Sequence, residues 1–498
     1  GGGNIGIVGM TTAARRHTLA RSFFPSPPIP RMNHCRCDAW TVRMSLCAAT
    51  TLAFLSPLAG RAADHPWSLQ SLATDSDRLK LSGSFRSRYE TLGGQPRAGL
   101  ENSPDVLSFR TTLFAEYAIG AFRIAGELYD SRAYWGGPRS GVGTGEVNAL
   151  ELVQAYLATE VDEPFGSDTS ASLKTGRFTL NLGSRRLVAA DDYRNTTNGY
   201  TGVRVDLNRK NTVSSTFIYT LPQRRLPDDT PSILDNDVQF DSEGAALVLW
   251  GGLVTFPQVI GNASVEASFF KLTEDDEPDL ATRNRRLNTT SLRVFRDAAP
   301  GSWDYEIEGA YQTGSIRAST APTASALDVA AYFYHLEFGY QRADAWQTHI
   351  SVEYDEVSGD DADPDYGRFD TLFGMRRGDF APSGIYAAVA RANIRSPGIR
   401  VEVTPSKDFD AFIGYRALWL DSRTDSFSTT GVRDASGHSG SFAGHQLDLR
   451  ARYWLIPRWL RLEGDVVLLF KGEFLEDAPN APRSGDTRYF SLNLTATF

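Results

Sequence analysis

From residue 79 to residue 498 apolar and polar positions alternate with a period of two, in stretches of roughly 8 to 11 residues separated by polar segments rich in Gly, Asp, Ser and Pro. In the first stretch Leu81, Gly83, Phe85 and Tyr89 share one face, and Lys80, Ser82, Ser84, Arg86, Arg88 and Glu90 share the other. The same division sets Leu107, Phe109, Leu113 and Tyr117 against Ser108, Arg110, Thr112 and Glu116. It recurs with Trp303, Tyr305, Ile307 and Tyr311 opposing Asp304, Glu306, Glu308 and Gln312. Such a period predicts strands with one apolar and one polar face.

The connections alternate in length. Residues 399–403 lead into residues 409–419 through the turn at 405–408, and residues 447–453 lead into 460–470 past Ile456 and Pro457. Between these two hairpins runs a long polar loop, 421–444. Short turns on one side and long loops on the other predict an all-β, antiparallel, up-and-down transmembrane barrel. At the end, Phe490, Leu492, Leu494, Ala496 and Phe498 alternate with Ser491, Asn493, Thr495 and Thr497. This is the expected closing strand, the segment that barrel assembly machinery reads. At roughly 22 to 28 residues per strand and connection, the chain should form 18 strands around an aqueous lumen narrowed by infolded loops. Trp303, Trp419, Trp454 and Trp459, near expected strand ends, suit an interfacial aromatic girdle.

Hydropathy fits this reading. No run of about 18 apolar residues occurs, which excludes a helical membrane protein. The mean hydropathy of −0.30 would suit a soluble protein, but it also suits a barrel whose strands average apolar and polar faces. Near the start, residues 46–59 (LCAATTLAFLSPLA) follow Arg31, Arg36 and Arg43 and end at Gly60-Arg61-Ala62, a small-x-small pattern. We read 44–62 as a signal peptide, 1–43 as an upstream extension outside the mature protein, 63–78 as a lead-in and 79–498 as the barrel. Sec export to the outer membrane of a Gram-negative cell follows, with lipid and lipopolysaccharide as surroundings and a monomer as the expected state.

Cys35, Cys37 and Cys47 all precede residue 62, so no disulfide or thiolate metal site is expected in the mature chain. Beyond the leader there are 44 basic and 59 acidic residues, which argues against nucleic acid as a partner. Only six of those basic residues are Lys and 38 are Arg. GC-rich codon usage accounts for that bias as well as a functional cause does, the guanidinium fork being suited to carboxylates.

Two longer segments carry a resemblance. VEYDEVSGDDADPDYGRFDTLF (352–373) and GRFTLNLGSRRLVAADDYRNTTNGYTGVRV (176–205) are similar to segments of the alginate export porin family, and GHQLDLRARYWLIPRWLRLEGDVVLLFKGEFL fits as well. The resemblance implies an 18-stranded channel passing an anionic uronate polysaccharide through an Arg/Lys-lined constriction. Carried over by position, it implies Lys80, Arg110, Arg368, Arg377 and Arg461 as lining residues, with Arg86, Arg88, Arg177 and Arg452 as secondary candidates. Thr179 and Glu463 stand where the family has Arg, and Asn493 replaces an acidic lumen residue. A less positive constriction leaves open another acidic glycan, an oligosaccharide or a small carboxylate, and a less selective uptake porin for small anions is the alternative. For each Arg, pairing with an acid on a neighbouring strand is the competing role.

Other chemistry finds less support. Asp361, Asp363 and Asp365 have the spacing of a calcium loop's first ligands, but Tyr366 and Leu372 occupy positions that should be Gly and Glu. A solvated acidic loop is the reading, with structural calcium as the lesser one and no other cofactor expected. Asp191-Asp192 and the run Glu274-Asp275-Asp276-Glu277 read as loop charge too. His65, His335, His349 and His445 lack the spacing of a metal site or catalytic triad. A secreted polysaccharide-active enzyme with paired carboxylates is the main competitor; it would be soluble in the periplasm, whereas a barrel needs detergent.

Overall fold

A computed structural model describes residues 67–73, 77–102, 105–361 and 363–498. The upstream extension, the signal segment, the three cysteines and His65 lie outside the described residues, as does part of the lead-in. The first six strands are β1 (Leu79–Gly93), β2 (Asp105–Ile119), β3 (Phe122–Tyr134), β4 (Asn148–Asp162), β5 (Thr169–Thr179) and β6 (Gly199–Arg209). Next come β7 (Val213–Pro222), β8 (Leu247–Ile260), β9 (Ala263–Glu274), β10 (Arg286–Arg296), β11 (Ser302–Arg317) and β12 (Ala326–Gln341). The last six are β13 (His349–Val357), β14 (Ile394–Ser406), β15 (Phe409–Trp419), β16 (Phe442–Ile456), β17 (Leu460–Lys471) and β18 (Thr487–Thr497).

Each strand pairs antiparallel with its neighbours in sequence, and β1 also pairs with β18, from Ser84 opposite Thr497 to Gly93 opposite Arg488. The sheet is therefore a closed 18-stranded barrel. Closure satisfies the backbone groups that an open edge would leave bare in lipid. At the short-turn end the seam is finished by Phe498, whose N–H donates to the Gly83 carbonyl at 2.9 Å and whose carbonyl accepts from Gly83 at 2.7 Å. No helix among the described residues is long and apolar enough to cross a membrane.

The pleat sorts the side chains as the alternation demands. On β11, Trp303, Ile307 and Tyr311 are exposed on the outer wall, while Asp304, Glu308 and Gln312 are buried on the lumen side. Trp303 stacks on Phe338 with ring centroids 5.0 Å apart, near the short-turn end. Trp419 packs against Phe442 at the long-loop end. Apolar area thus faces lipid, and charged side chains pair within the lumen.

Two long loops enter that lumen. The third (180–198) and the seventh (358–393) are joined backbone to backbone: Ala189 donates to the Phe373 carbonyl at 3.1 Å, Phe373 to Leu187 at 3.0 Å and Met375 to Arg185 at 3.1 Å. The approach is close enough that a Cβ on Gly374 would overlap the Arg186 carbonyl. Apolar residues of the loops, among them Val188, Phe369, Ile385, Tyr386 and Val389, bury themselves against Leu92, Val106 and Phe333 of the wall. The half of the lumen near the long loops thus has its own hydrophobic core, which fixes the loops in place.

Candidate functional site

The third loop crosses the lumen from wall to wall. On one side Arg186 pairs with Glu306 and, at 2.7 Å, with Glu308 of β11, and with Asp379 of the seventh loop at 2.9 Å. On the other side the loop backbone is gripped by arginines of β1 and β2. Arg86 donates to the Arg194 carbonyl at 2.6 Å, and Arg110 donates to the carbonyls of Asp192 at 3.2 Å and Arg194 at 3.1 Å. Arg88 donates to the Tyr193 carbonyl at 2.5 Å and to the Asn493 side chain. Arg377, from the seventh loop, pairs with Asp448 at 2.9 Å and Asp465 at 2.5 Å, and its guanidinium stands 5.4 Å from the Tyr193 ring centroid.

Of the residues expected to line a constriction, four thus gather around Tyr193: Arg86, Arg88, Arg110 and Arg377. Their hydrogen-bonding capacity is directed largely at loop carbonyls and wall carboxylates. The others are dispersed. Lys80 lies near the short-turn end, 66% exposed and 3.3 Å from Glu116. Arg461 is in the same region, 3.5 Å from Glu463, and Arg452 pairs with Asp410 at 2.9 Å. Arg177 bridges Glu151 and Glu243, each at 2.6 Å. Arg368 pairs with Asp425 of the eighth long loop (420–441) at 2.6 Å and donates to the Ser426 carbonyl. Asp361, Asp363 and Asp365 are all exposed. Among the described residues, the His/Asp/Glu group with ligand atoms within 4.8 Å of one another is instead Asp304, Glu337 and His349.

On the long-loop side of the belt around Tyr193 lies a cavity of about 710 Å³, lined by Arg194, Arg225, Arg376, Asn198, Glu243 and Phe373 among others. A second, of about 550 Å³, adjoins it, and Thr371 and Arg376 line both. Arg194 and Arg225 each donate to Asn198 Oδ1 at 2.6 Å. Arg225 also donates to the Thr144 carbonyl at 2.9 Å, and Arg376 to the Ala387 carbonyl at 3.1 Å. Among the described residues neither Arg225 nor Arg376 forms an ion pair. Burial, then the like charge of Arg194, draws Arg225 down to about 9. Burial, with Arg194 and Arg97 as like charges, draws Arg376 down to about 10. Both remain cations at neutral pH, so two guanidiniums of the cavity have only neutral partners, carbonyls, an amide and a hydroxyl, in a lining that also holds Asp228, Glu243, Glu274, Asp275 and Glu277.

The nearby acids are largely taken up. Glu274 pairs with Arg285 at 2.7 Å, Asp275 with Arg286, Asp276 with Arg317 at 2.6 Å, and Asp370 with Arg285 at 2.7 Å. The run read as loop charge is thus mostly ion-paired. Arg225 and Arg376 were not singled out from the sequence. A usable signal does exist: adjacent arginines at 185–186, 224–225, 285–286 and 376–377 fall in or beside long loops.

A closed barrel with a lipid-facing apolar wall, a polar lumen and loops folded into it defines a porin-like channel of the Gram-negative outer membrane. Within that class the chain belongs to the alginate export family, whose model matches residues 77–488. Among solved structures it is similar to Pseudomonas aeruginosa OccK9 (OpdG), at 11% identity and a TM-score of 0.53, covering 85% of this chain and 98% of that one. OccK8 (OprE) of the same organism gives 12% identity and a TM-score of 0.53, with 85% and 98% covered. OccD3 (OpdP) gives 15% and 0.52, with 84% and 91% covered. These likenesses concern the fold. A comparison with curated proteins finds no match. Family and fold make the protein a channel rather than an enzyme.

Proposed function

We propose that the protein passes a carboxylated saccharide across the outer membrane by passive diffusion, after Sec-dependent export and assembly of the barrel. The observation that carries this reading is the pair Arg225 and Arg376, which face the 710 Å³ cavity without forming ion pairs among the described residues. Guanidinium groups engage carboxylates through two parallel hydrogen bonds, and low-dielectric walls strengthen the attraction. Arg194 adds a third basic group, tempered by Asp191 at 3.1 Å. The interspersed acids keep the site from becoming a single deep trap, as conduction requires.

Below the cavity, Arg86, Arg88 and Arg110, which are bonded to loop carbonyls, supply positive field to the narrow passage, while the charge of Arg377 is answered by Asp448 and Asp465. Toward the short-turn end Lys80, Arg461 and Arg452 each stand beside an acid, Glu116, Glu463 and Asp410, so basic and acidic groups alternate there. Because the third and seventh loops are bonded to each other across the lumen, an oligosaccharide or a single extended chain fits better than a bulky branched polymer. Uptake of small anions is the second reading, and it rests on the same cavity, whose volume suits a short ligand.

Purified protein in planar bilayers tests this. An anion-selective current blocked by uronate oligomers from the long-loop side supports the proposal. Cation selectivity, or a current indifferent to uronates, overturns it.

A further inference from the structure

We propose that Asp304, Glu337 and His349 form a binding site for Zn2+ on the lumen wall near the short-turn end of the barrel. Three adjacent strands supply the ligands: β11 gives Asp304, β12 gives Glu337 and β13 gives His349. Their ligand atoms lie within 4.8 Å of one another. His349 Nε2 is already 3.0 Å from both oxygens of Asp304. Two ligands on a tetrahedral zinc ion stand about 3.4 Å apart, so small side-chain rotations suffice. An imidazole with two carboxylates is a poor set for calcium or magnesium, which prefer oxygen ligands alone, and a good one for zinc. The two carboxylates also balance the ion's charge.

Positions 304, 337 and 349 have no motif spacing, so the site is not visible in the sequence. Sheet register makes the site. Gly339 lies opposite Asp304 on one side and opposite Ser351 on the other. A Cβ at Gly339 would collide with both Asp304 Oδ1 and His349 Nε2, so the missing side chain opens the space in which they meet. Asp304 is buried, while Glu337 and His349 are half-buried, which leaves an approach from the lumen.

A second residue points the same way. His335 is fully buried, and its Nδ1 lies 2.8 Å from Asp355 Oδ1. The other ring nitrogen, Nε2, is turned toward Glu337. Among the described residues it has no hydrogen-bond partner, and it stands 3.8 Å from Glu337 Oε2. A carboxylate fixing one nitrogen of an imidazole while the other faces a cation is the arrangement that commonly supports metal sites. An ion at Asp304, Glu337 and His349 would give this nitrogen either a ligand role or a bound water to accept from. None of this depends on which solute the channel carries.

The test is zinc binding to tag-free, full-length barrel in detergent, by calorimetry and by the visible spectrum of Co2+ used as a probe in place of zinc. One ion per chain is expected. The variants His349→Gln and Gly339→Ala, checked for retained heat-modifiable mobility, should each bind at least tenfold more weakly. If wild-type protein binds no zinc, if His349→Gln and Gly339→Ala bind as well as wild type, or if Ca2+ competes on equal terms, the proposal fails.

Discussion

The hydroxyl of Tyr193 lies 3.0 Å from that of Tyr489, which ties the middle of the third loop to the last strand of the barrel. The same hydroxyl is 3.3 Å from Asp465 and 3.2 Å from Ser491, so β17 and β18 both hold it. Tyr193→Phe removes the shared group and leaves buried Asp465 and Ser491 short of a partner. Stability should fall by about 1–3 kcal/mol. Single-channel conductance should become noisier as the loop gains freedom; an unchanged noise spectrum would show that the backbone grips of Arg86 and Arg110 suffice alone.

Arg377 answers two buried carboxylates, Asp448 and Asp465. Arg377→Ala should destabilise the barrel by about 3–5 kcal/mol, because the acids it leaves behind are buried and uncompensated. The triple change Arg377→Met, Asp448→Asn, Asp465→Asn should recover most of that loss. Midpoints of heat-modified gel mobility measure both, and equal midpoints for the single and triple variants would contradict the ion-pair account.

Arg225 and Arg376 call for the opposite outcome. Their partners are carbonyl, amide and hydroxyl groups, so Arg225→Gln with Arg376→Gln should leave the melting midpoint nearly unchanged. Reversal potentials in a salt gradient should shift away from anion selectivity, and block by uronate oligomers should weaken about tenfold, the equivalent of about 1.4 kcal/mol. Unshifted potentials would place anion selection elsewhere in the lumen.

Burial, reinforced by Glu90, pushes the Glu146 carboxyl in the second long loop (135–147) up to about 7. Burial, reinforced by Glu151, does the same for Asp241 in the fourth (223–246). Between the ordinary carboxylate range and pH 7 the folded protein therefore binds more protons than the unfolded chain. Stability from these two groups is greatest at low pH and declines as pH rises toward 7. Melting midpoints should fall across that window in wild type and fall less in Glu146→Gln with Asp241→Asn. A variant with the wild-type slope would assign the titration to other groups.

Much of the fold was legible because lipid demands what period two encodes. Trp303 and Ile307 against Asp304 and Glu308 can be sorted without knowing any neighbour, and the final alternation from Phe490 to Phe498 identifies the closing strand. The site was legible only as a residue type. Whether an arginine faces solute or protein depends on contacts that exist only after closure: Tyr193 meets Asp465, 272 positions away, and Arg377 meets it across 88. Arg377 and Arg376 are adjacent in sequence, yet one is paired with two acids and the other with a carbonyl and a hydroxyl. Local sequence does not separate them, because the difference lies in which wall each reaches. The same reason hid His349 and Asp304, which meet only through the stacking of three strands.

The span of the third loop, bonded to β11 at Arg186 and to β1, β2 and β18 at its other end, acts on the barrel as a spoke acts on a wheel. A cylinder of strands without it could flatten into an ellipse under lateral membrane pressure. With it, that flattening is opposed along the diameter the loop spans.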